Sequence, residues 1–231
     1  VYSYSLWKHG VEDLETYDAS MEKLQEAGEK TSAADDVERA LFIDPMEIEL
    51  GYGLIPLVDQ SQGGDLLARI TVIRRQIASE LGVVVPPIRI RDNMTIESDS
   101  YVINIKGIEV ASGKLFLDSF LAMNPGNVTK QVPGIKTVEP AFGLPALWIS
   151  SAQKDNAEKA GYTVVDTLSV LATHLTEVIH AHAHELLNRQ EANKLVENAK
   201  ANASTVVEEL VPNLLTIGGV LKVLQSLLRE R

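Results

Sequence analysis

The chain of 231 residues contains no cysteine, and this absence excludes several kinds of function. Without a thiol there is no disulfide, no thiolate metal site and no cysteine nucleophile. Basic residues are scarce as well: 21 Lys and Arg stand against 32 Asp and Glu, for a formal net charge of −11. Because nucleic acids and anionic lipids are bound through a basic face, this balance argues against both partners.

Long apolar runs are also missing. A membrane-spanning helix needs about 20 consecutive apolar residues, and no stretch of the sequence approaches that length. No basic and then apolar leader opens the chain, so we expect no secretory signal. A content of 45% hydrophobic and 23% charged residues is that of an ordinary globular protein. We therefore expect a soluble chain.

The motifs of common active sites are absent too. Gly51 and Gly53, like Gly63 and Gly64, match neither the Walker phosphate loop nor the dinucleotide-binding spacing. There is no G-x-S-x-G elbow. The acidic residues form no spaced pair in a context that suggests acid–base catalysis. The sequence therefore predicts neither an enzyme nor a cofactor.

Three histidines, His180, His182 and His184, leave one catalytic alternative open. On a helical wheel His182 shares the apolar face, which predicts a core or interface residue. His180 and His184 lie one turn apart on the opposite face with Glu177, a spacing that suits a divalent ion. Because no fourth ligand accompanies them, we favour solvated histidines. A metal-dependent enzyme using Glu177, His180 and His184 remains the alternative.

Hydrophobic periodicity indicates strands and helices in the first half of the chain. Alternation that passes into a continuous apolar run predicts a strand over 46–58. Apolar residues at spacings of three and four predict a helix over 66–81, with Asp65 as N-cap and Gly82 closing it. Three arginines fall off its apolar stripe and are predicted to be solvated or ion-paired: Arg69, Arg74 and Arg75.

Further elements follow the same reasoning. Asp166 is predicted to cap the longest helix. The predicted strands cover 83–92, 101–105, 108–110 and 163–165. The predicted helices cover 151–160, 167–188, 189–201, 204–211 and the residues from 216 onward. Before all of these, an amphipathic helix over 11–24 and a polar stretch over 29–40 are predicted.

The stretch 137–149 places Phe142 between Pro140 and Gly143, with a carboxylate at Glu139. Proline fixes φ and glycine permits tight turns, so we predict a shaped loop and not a helix. An aromatic side chain on such a loop either fills the core or lines an apolar binding site. Both explanations stay open on the residues alone.

Seven motifs follow one another along the chain: GYGLIPLVD (51–59), IRIRDNM (88–94), MNPG (123–126), EPAFGLPALWI (139–149), GYTVVD (161–166), THL (173–175) and ELLNRQE (185–191). Together they resemble the cytoplasmic region of the FlhA/InvA-type (FHIPEP) family of type III export gates. The resemblance covers about residues 42–231. The flagellar branch fits better than the virulence branch.

The resemblance implies a function. In the family, the cytoplasmic region follows a membrane part, receives chaperone–substrate complexes and forms a ring, a nonamer, beneath the export channel. This chain would then be a non-enzymatic docking platform at the cytoplasmic face of the bacterial inner membrane. Its implied partners are flagellar export chaperones with cargo, other export components and further copies of itself. A purely ring-building module is the structural alternative.

The resemblance also implies a site and a division into subdomains. By motif position, the apolar chaperone site would consist of Glu139, Phe142 and Thr173, with Met123, Pro125 and Leu144 lining its wall. The expected fold is α+β and multi-subdomain, a small mixed α/β unit with an inserted loop-rich subdomain and then an all-helical segment. The expected parts are a linker (1–44), a first subdomain (45–117 with 167–186), an inserted second (118–166) and the start of a C-terminally truncated third (187–231).

Overall fold

The computed structural model describes residues 43–59, 61, 63–126 and 128–230. The helix predicted over 11–24 and the polar stretch over 29–40 lie outside these residues. Two four-stranded sheets occur together with α-helices, which confirms the α+β class. The chain groups into two compact units. One comprises Glu47–Ile73 and Arg89–Ala181, and the other Arg74–Ile88, residues 182–230 and residues 43–46.

The first sheet alternates in burial as its sequence predicts. Its strands are β1 (Met46–Leu50), β2 (Ile88–Asp92), β3 (Ser100–Ile105) and β4 (Ile108–Lys114), in the order β2-β1-β3-β4. In β1 every second residue (Met46, Ile48, Leu50) is at most 1% exposed, so one face of the strand is core. Lys106 and Gly107, both with positive φ, form the turn between the antiparallel strands β3 and β4.

The single strand predicted over 46–58 is wrong beyond Leu50. Residues Tyr52–Leu57 form a 3-10 helix instead, with Pro56 inside it. The chain leaves the sheet at Gly51, whose N–H donates to Ser100 O at 2.8 Å. Because proline has no N–H to give to a ladder, the segment around Pro56 cannot continue a central strand. The apolar run therefore marks a short helical turn with Leu54 buried.

Helix α1 (Leu66–Leu81) has the predicted bounds and begins directly after Asp65. Its predicted stripe is buried from Leu66 to Ile77, and no residue of that stretch of the stripe is more than 6% exposed. Gly82 follows with φ +70, the left-handed conformation that commonly ends a helix. The spacing of apolar residues was therefore sufficient to locate this helix.

Arg74 on α1 is buried, which rules out the solvated state, one of the two predicted for it. The residue is 6% exposed, and its Nε and Nη2 donate to Val85 O at 3.2 and 3.0 Å. Val83 and Val85 are themselves buried. The segment after Gly82 therefore packs beside α1 and takes the guanidinium out of water, which a wheel drawn for α1 alone cannot show.

The second sheet contains three strands, β5 to β7, that the sequence did not reveal. Its strands are β5 (Ser119–Met123), β6 (Ile135–Val138), β7 (Pro145–Ser150) and β8 (Thr163–Asp166), ordered β6-β7-β5-β8 with antiparallel neighbours. The predicted loop over 137–149 is wrong at both ends, since it overlaps β6 and β7. Strand β6 has only four residues and stands at the sheet edge, so its periodic signal is too short to recognise.

Both faces of the second sheet are packed. After the 3-10 turn Ser151–Gln153, helix α2 (Lys154–Lys159) brings Ala157 into a core with Ala122, Ile149, Ala160 and Tyr162. On the other face Trp148 is 4% exposed and meets the ring of Phe116 edge-on at a centroid distance of 5.6 Å. The sheet is thus a rigid platform for the loops at its ends.

Helix α3 (Thr167–Leu186) starts at the predicted cap. Asp166 Oδ1 accepts from Ser169 N at 2.9 Å, which satisfies one of the free amides of the first turn. Burial raises the pKa of Asp166, whereas the hydrogen bonds from Ser169 favour the charged form and lower it. The net result is a pKa below the usual value of an aspartate. The helical wheel places His182 on the apolar face and His184 on the solvated face. The structure shows the reverse order of burial, because the side chain of His184 is 16% exposed and that of His182 is 28% exposed.

The helices after α3 fall where they are predicted. They are α4 (Arg189–Asn202), α5 (Ser204–Leu210) and α6 (Ile217–Arg229), with Pro212 and Asn213 between α5 and α6. Asn188 caps α4 through Glu191 N, and Thr216 caps α6 through Gly219 N. Gln225 on α6 donates to Leu187 O at 3.1 Å.

No helix in the described part of the chain is long and apolar enough to cross a bilayer. The subdomain boundaries at 45–117 with 167–186, 118–166 and 187–231 stay predictions.

Candidate functional site

The loop between β6 and β7 carries three of the predicted site residues: Glu139, Phe142 and Leu144. Glu139 N donates to Leu144 O at 2.8 Å, and Gly143 N donates to Glu139 O at 2.9 Å. Gly143 has φ +69, a conformation in which glycine is strongly favoured over residues with a Cβ. These bonds close a tight turn at the tip of the hairpin.

The side chain of Glu139 caps this turn from inside. Its Oε1 accepts from Ala141 N and its Oε2 from Phe142 N, both at 2.8 Å. The residue is only 3% exposed. A charged acceptor makes each of these bonds stronger than a neutral one, so the carboxylate fixes two successive backbone amides at the loop tip.

Phe142 itself points outward. It is 59% exposed, which excludes the explanation that it fills the core. Leu144 is 50% exposed, and the hairpin also exposes two apolar side chains of β6: Ile135 at 62% and Val138 at 60%. Phe142 and Leu144 thus place two exposed apolar side chains at the loop tip, and neighbouring exposed apolar side chains of this kind mark interaction surfaces.

Topology brings Met123 and Pro125 to the same end of the sheet. Met123 is the last residue of β5 and pairs with Ala146, next to the start of β7. Ala146 pairs in turn with Thr137 near the end of β6. Pro125 is exposed in the turn after β5, where Asn124 Oδ1 accepts from Gly126 N at 2.8 Å. The wall residues and the loop therefore share one sheet end.

A buried polar pair lies near Glu139. Tyr101 Oη and His174 Nδ1 are 2.6 Å apart, with both residues buried. Burial and the nearby negative charge of Glu139 raise the pKa of Tyr101. Burial lowers the pKa of His174, and the charge of Glu139 opposes that shift. The loop carboxylate is thus close enough to α3 and β3 for its charge to act on both residues.

Gly113 makes room for the Tyr101 ring. The two residues are paired across β3 and β4. A Cβ built on Gly113 would come within 2.6 Å of Tyr101 Oη and 2.8 Å of Cε1 and Cζ. Sequence reasoning missed Tyr101, His174 and Gly113. One signal could have revealed His174. It lies three residues after Leu171 and four before Val178, so it is a polar residue inside the apolar stripe of α3.

Thr173 lies beside His174 but faces the other way. It is exposed, and its Oγ1 donates to Ser169 O at 2.9 Å within α3. The structure therefore links five of the six predicted residues through one sheet end. Thr173 lies on α3, next in sequence to His174. The binding role of all six stays a prediction.

The metal alternative has no assembled site in the part of the chain that the structure describes. Across 43–59, 61, 63–126 and 128–230, no group of three or more His, Asp or Glu side chains is placed to hold an ion. His182 Nδ1 instead lies 2.7 Å from Glu185 Oε1. His184 Nδ1 is buried with no hydrogen-bond partner.

Sequence comparison places these features in a family. The model of the FHIPEP family matches residues 2–231. The chain belongs to the FHIPEP family. Among FHIPEP relatives, the flagellar biosynthesis protein FlhA of Bacillus subtilis is 52% identical over 229 residues, which is 99% of this chain. The chain spans 34% of the length of that relative. The resemblance inferred from the seven motifs, including its flagellar branch, is confirmed.

The fold of this FHIPEP chain also occurs in solved structures. The CdsV protein of Chlamydia pneumoniae superposes with a TM-score of 0.68 at 26% identity, over 82% of this chain and 55% of that one. The nonameric SctV-C of EPEC superposes with a TM-score of 0.58 at 16% identity, over 82% and 55% of the two chains. The second likeness concerns the fold alone.

Proposed function

We propose that this chain is a non-enzymatic part of the flagellar type III export gate, and that its β6–β7 hairpin docks export chaperones with their cargo. The observation that carries the proposal is the exposed Phe142 on a loop whose backbone is fixed by Glu139. An aromatic side chain held in place loses little conformational freedom on binding, which is why such residues often anchor interfaces.

The chemistry of the hairpin indicates the kind of partner surface. Ile135, Val138, Phe142 and Leu144 are all apolar, and Lys136 is the charged residue within β6. The complementary surface of the partner would be an apolar groove or the apolar face of a helix. The exposed Thr173 would add a hydroxyl contact on α3. No chemical step is involved in this function.

Self-association into a ring is part of the same proposal. It is supported by family membership and by the nonameric state of the EPEC SctV-C, which shares the fold. The structural alternative, a purely ring-building module at the cytoplasmic face of the inner membrane, predicts self-association without chaperone binding. Sedimentation velocity of the chain, with and without a chaperone–cargo complex, separates the two.

Titration calorimetry with a purified late-substrate flagellar chaperone bound to its cargo tests the docking role. Phe142→Ala should weaken binding at least tenfold, since hot-spot truncations typically cost about 2 kcal/mol or more. Tyr52→Ala is the matched control, because Tyr52 is an aromatic of similar exposure (64%) on the 3-10 helix. Equal binding by wild type and Phe142→Ala would refute the proposed site.

A further inference from the structure

We infer that Glu139 is a positioning residue that presents Phe142, and that it does not itself touch the docked partner. The inference rests on the proposed docking role of Phe142. Family resemblance groups Glu139 with the binding residues, yet the side chain is 3% exposed, whereas Phe142 three positions later is 59% exposed. A partner that covers Phe142 would meet the outer side of the loop, whereas the carboxylate lies on its inner side.

Each oxygen of the Glu139 carboxylate accepts one hydrogen bond from the loop. Oε1 and Oε2 accept from Ala141 N and Phe142 N, each at 2.8 Å, and both donors belong to the loop tip. The same residue also holds the loop through its backbone, by its N–H to Leu144 O and its carbonyl to Gly143 N. Glu139 thus bonds to four successive residues of the loop, from Ala141 to Leu144.

The arrangement requires a carboxylate, because both acceptors serve backbone donors. Glutamine has one carbonyl oxygen and an NH2 group, so one of the two amides would face a donor instead of an acceptor. Aspartate keeps both oxygens but withdraws them by one methylene. Glu139→Gln and Glu139→Asp therefore perturb the loop in different ways while leaving Phe142 unchanged.

Residues behind the carboxylate support the same role. The Tyr101–His174 pair is buried and bonded at 2.6 Å, which joins β3 to α3, and the charge of Glu139 contributes to raising the pKa of Tyr101. A loop capped in this way holds its outward side chain in one direction. Binding of Phe142 then involves little loss of loop entropy, which is the energetic advantage of a preorganised contact.

The first readout is amide hydrogen exchange in the free chain, measured by NMR. Glu139→Gln should speed exchange of the Ala141 and Phe142 amides by about tenfold, the factor for loss of one hydrogen bond of ordinary strength. Glu139→Asp should give a smaller increase. Glu158→Gln, an exposed glutamate on α2, is the control and should leave both amides unchanged. Unchanged exchange in Glu139→Gln would overturn the inference.

The second readout is binding of the chaperone–cargo complex in a double-mutant cycle. Glu139→Gln should weaken binding less in a Phe142→Leu background than in wild type. Leucine contributes less binding energy than phenylalanine at this position, so moving the loop costs less affinity. A direct contact by Glu139 would lower affinity by the same factor in both backgrounds, and that result would overturn the inference. If wild type does not bind at all, the docking proposal fails, while the exchange measurement still decides whether Glu139 positions the loop.

Discussion

Replacing Gly113 by alanine tests whether the wall behind the candidate site is packed as described. The new Cβ would lie 2.6 Å from Tyr101 Oη and 2.8 Å from Cε1 and Cζ, well inside van der Waals contact. Tyr101 is 0% exposed and bonded to His174, so the ring has little room to move. Overpacking of a buried site typically costs about 1–3 kcal/mol. Replacing glycine by alanine also reduces the conformational entropy of the unfolded chain, which stabilises the folded state by about 0.4–1 kcal/mol.

We therefore expect Gly113→Ala to lower the free energy of unfolding by about 1–2 kcal/mol, measured by urea denaturation. Ser112→Ala, one residue earlier on the opposite face of β4, is the control and should stay within about 0.5 kcal/mol of wild type. Tyr101→Phe removes Oη, the atom nearest to the new Cβ. Gly113→Ala should therefore lower the free energy of unfolding by less in a Tyr101→Phe background. A Gly113→Ala variant as stable as wild type would refute the packing of Tyr101 against this strand.

Two further predictions concern protonation and metal. Burial lowers the pKa of His174, so the unfolded chain binds a proton more readily than the folded chain. Stability should therefore fall as pH drops below about 6.5, and His174→Asn, which keeps an acceptor for Tyr101 but does not titrate, should lose less between pH 7 and pH 5. A steeper loss in His174→Asn would contradict this sign. Removing divalent ions with a chelator should leave the melting temperature unchanged; a lower value would revive the site of Glu177, His180 and His184.

Long periodic segments were predictable from sequence. Helices α1, α3, α4 and α6 each carry enough apolar residues at spacings of three and four to define one face. Their caps follow from local chemistry, as with Asp166 and Thr216. These features depend on residues within a few positions of one another, which is the information a sequence displays directly.

Features set by distant residues were not predictable. Strand β6 depends on pairing with β7, and its four residues show no recognisable period. The burial of Arg74 depends on the segment after Gly82, and the Tyr101–His174 pair joins residues 73 positions apart. The Pro/Gly pattern predicted a turn at Phe142 but did not decide between core and surface. Only the fold shows that Phe142 faces outward and Glu139 inward.

Binding of a late-substrate chaperone–cargo complex to wild type, Phe142→Ala and Tyr52→Ala is the most direct test of the docking account. Calorimetry should show binding by wild type and Tyr52→Ala, and at least tenfold weaker binding by a Phe142→Ala chain whose circular dichroism is unchanged. Equal affinity for all three chains would contradict the account. Loss of binding in Tyr52→Ala alone would move the site to the 3-10 helix.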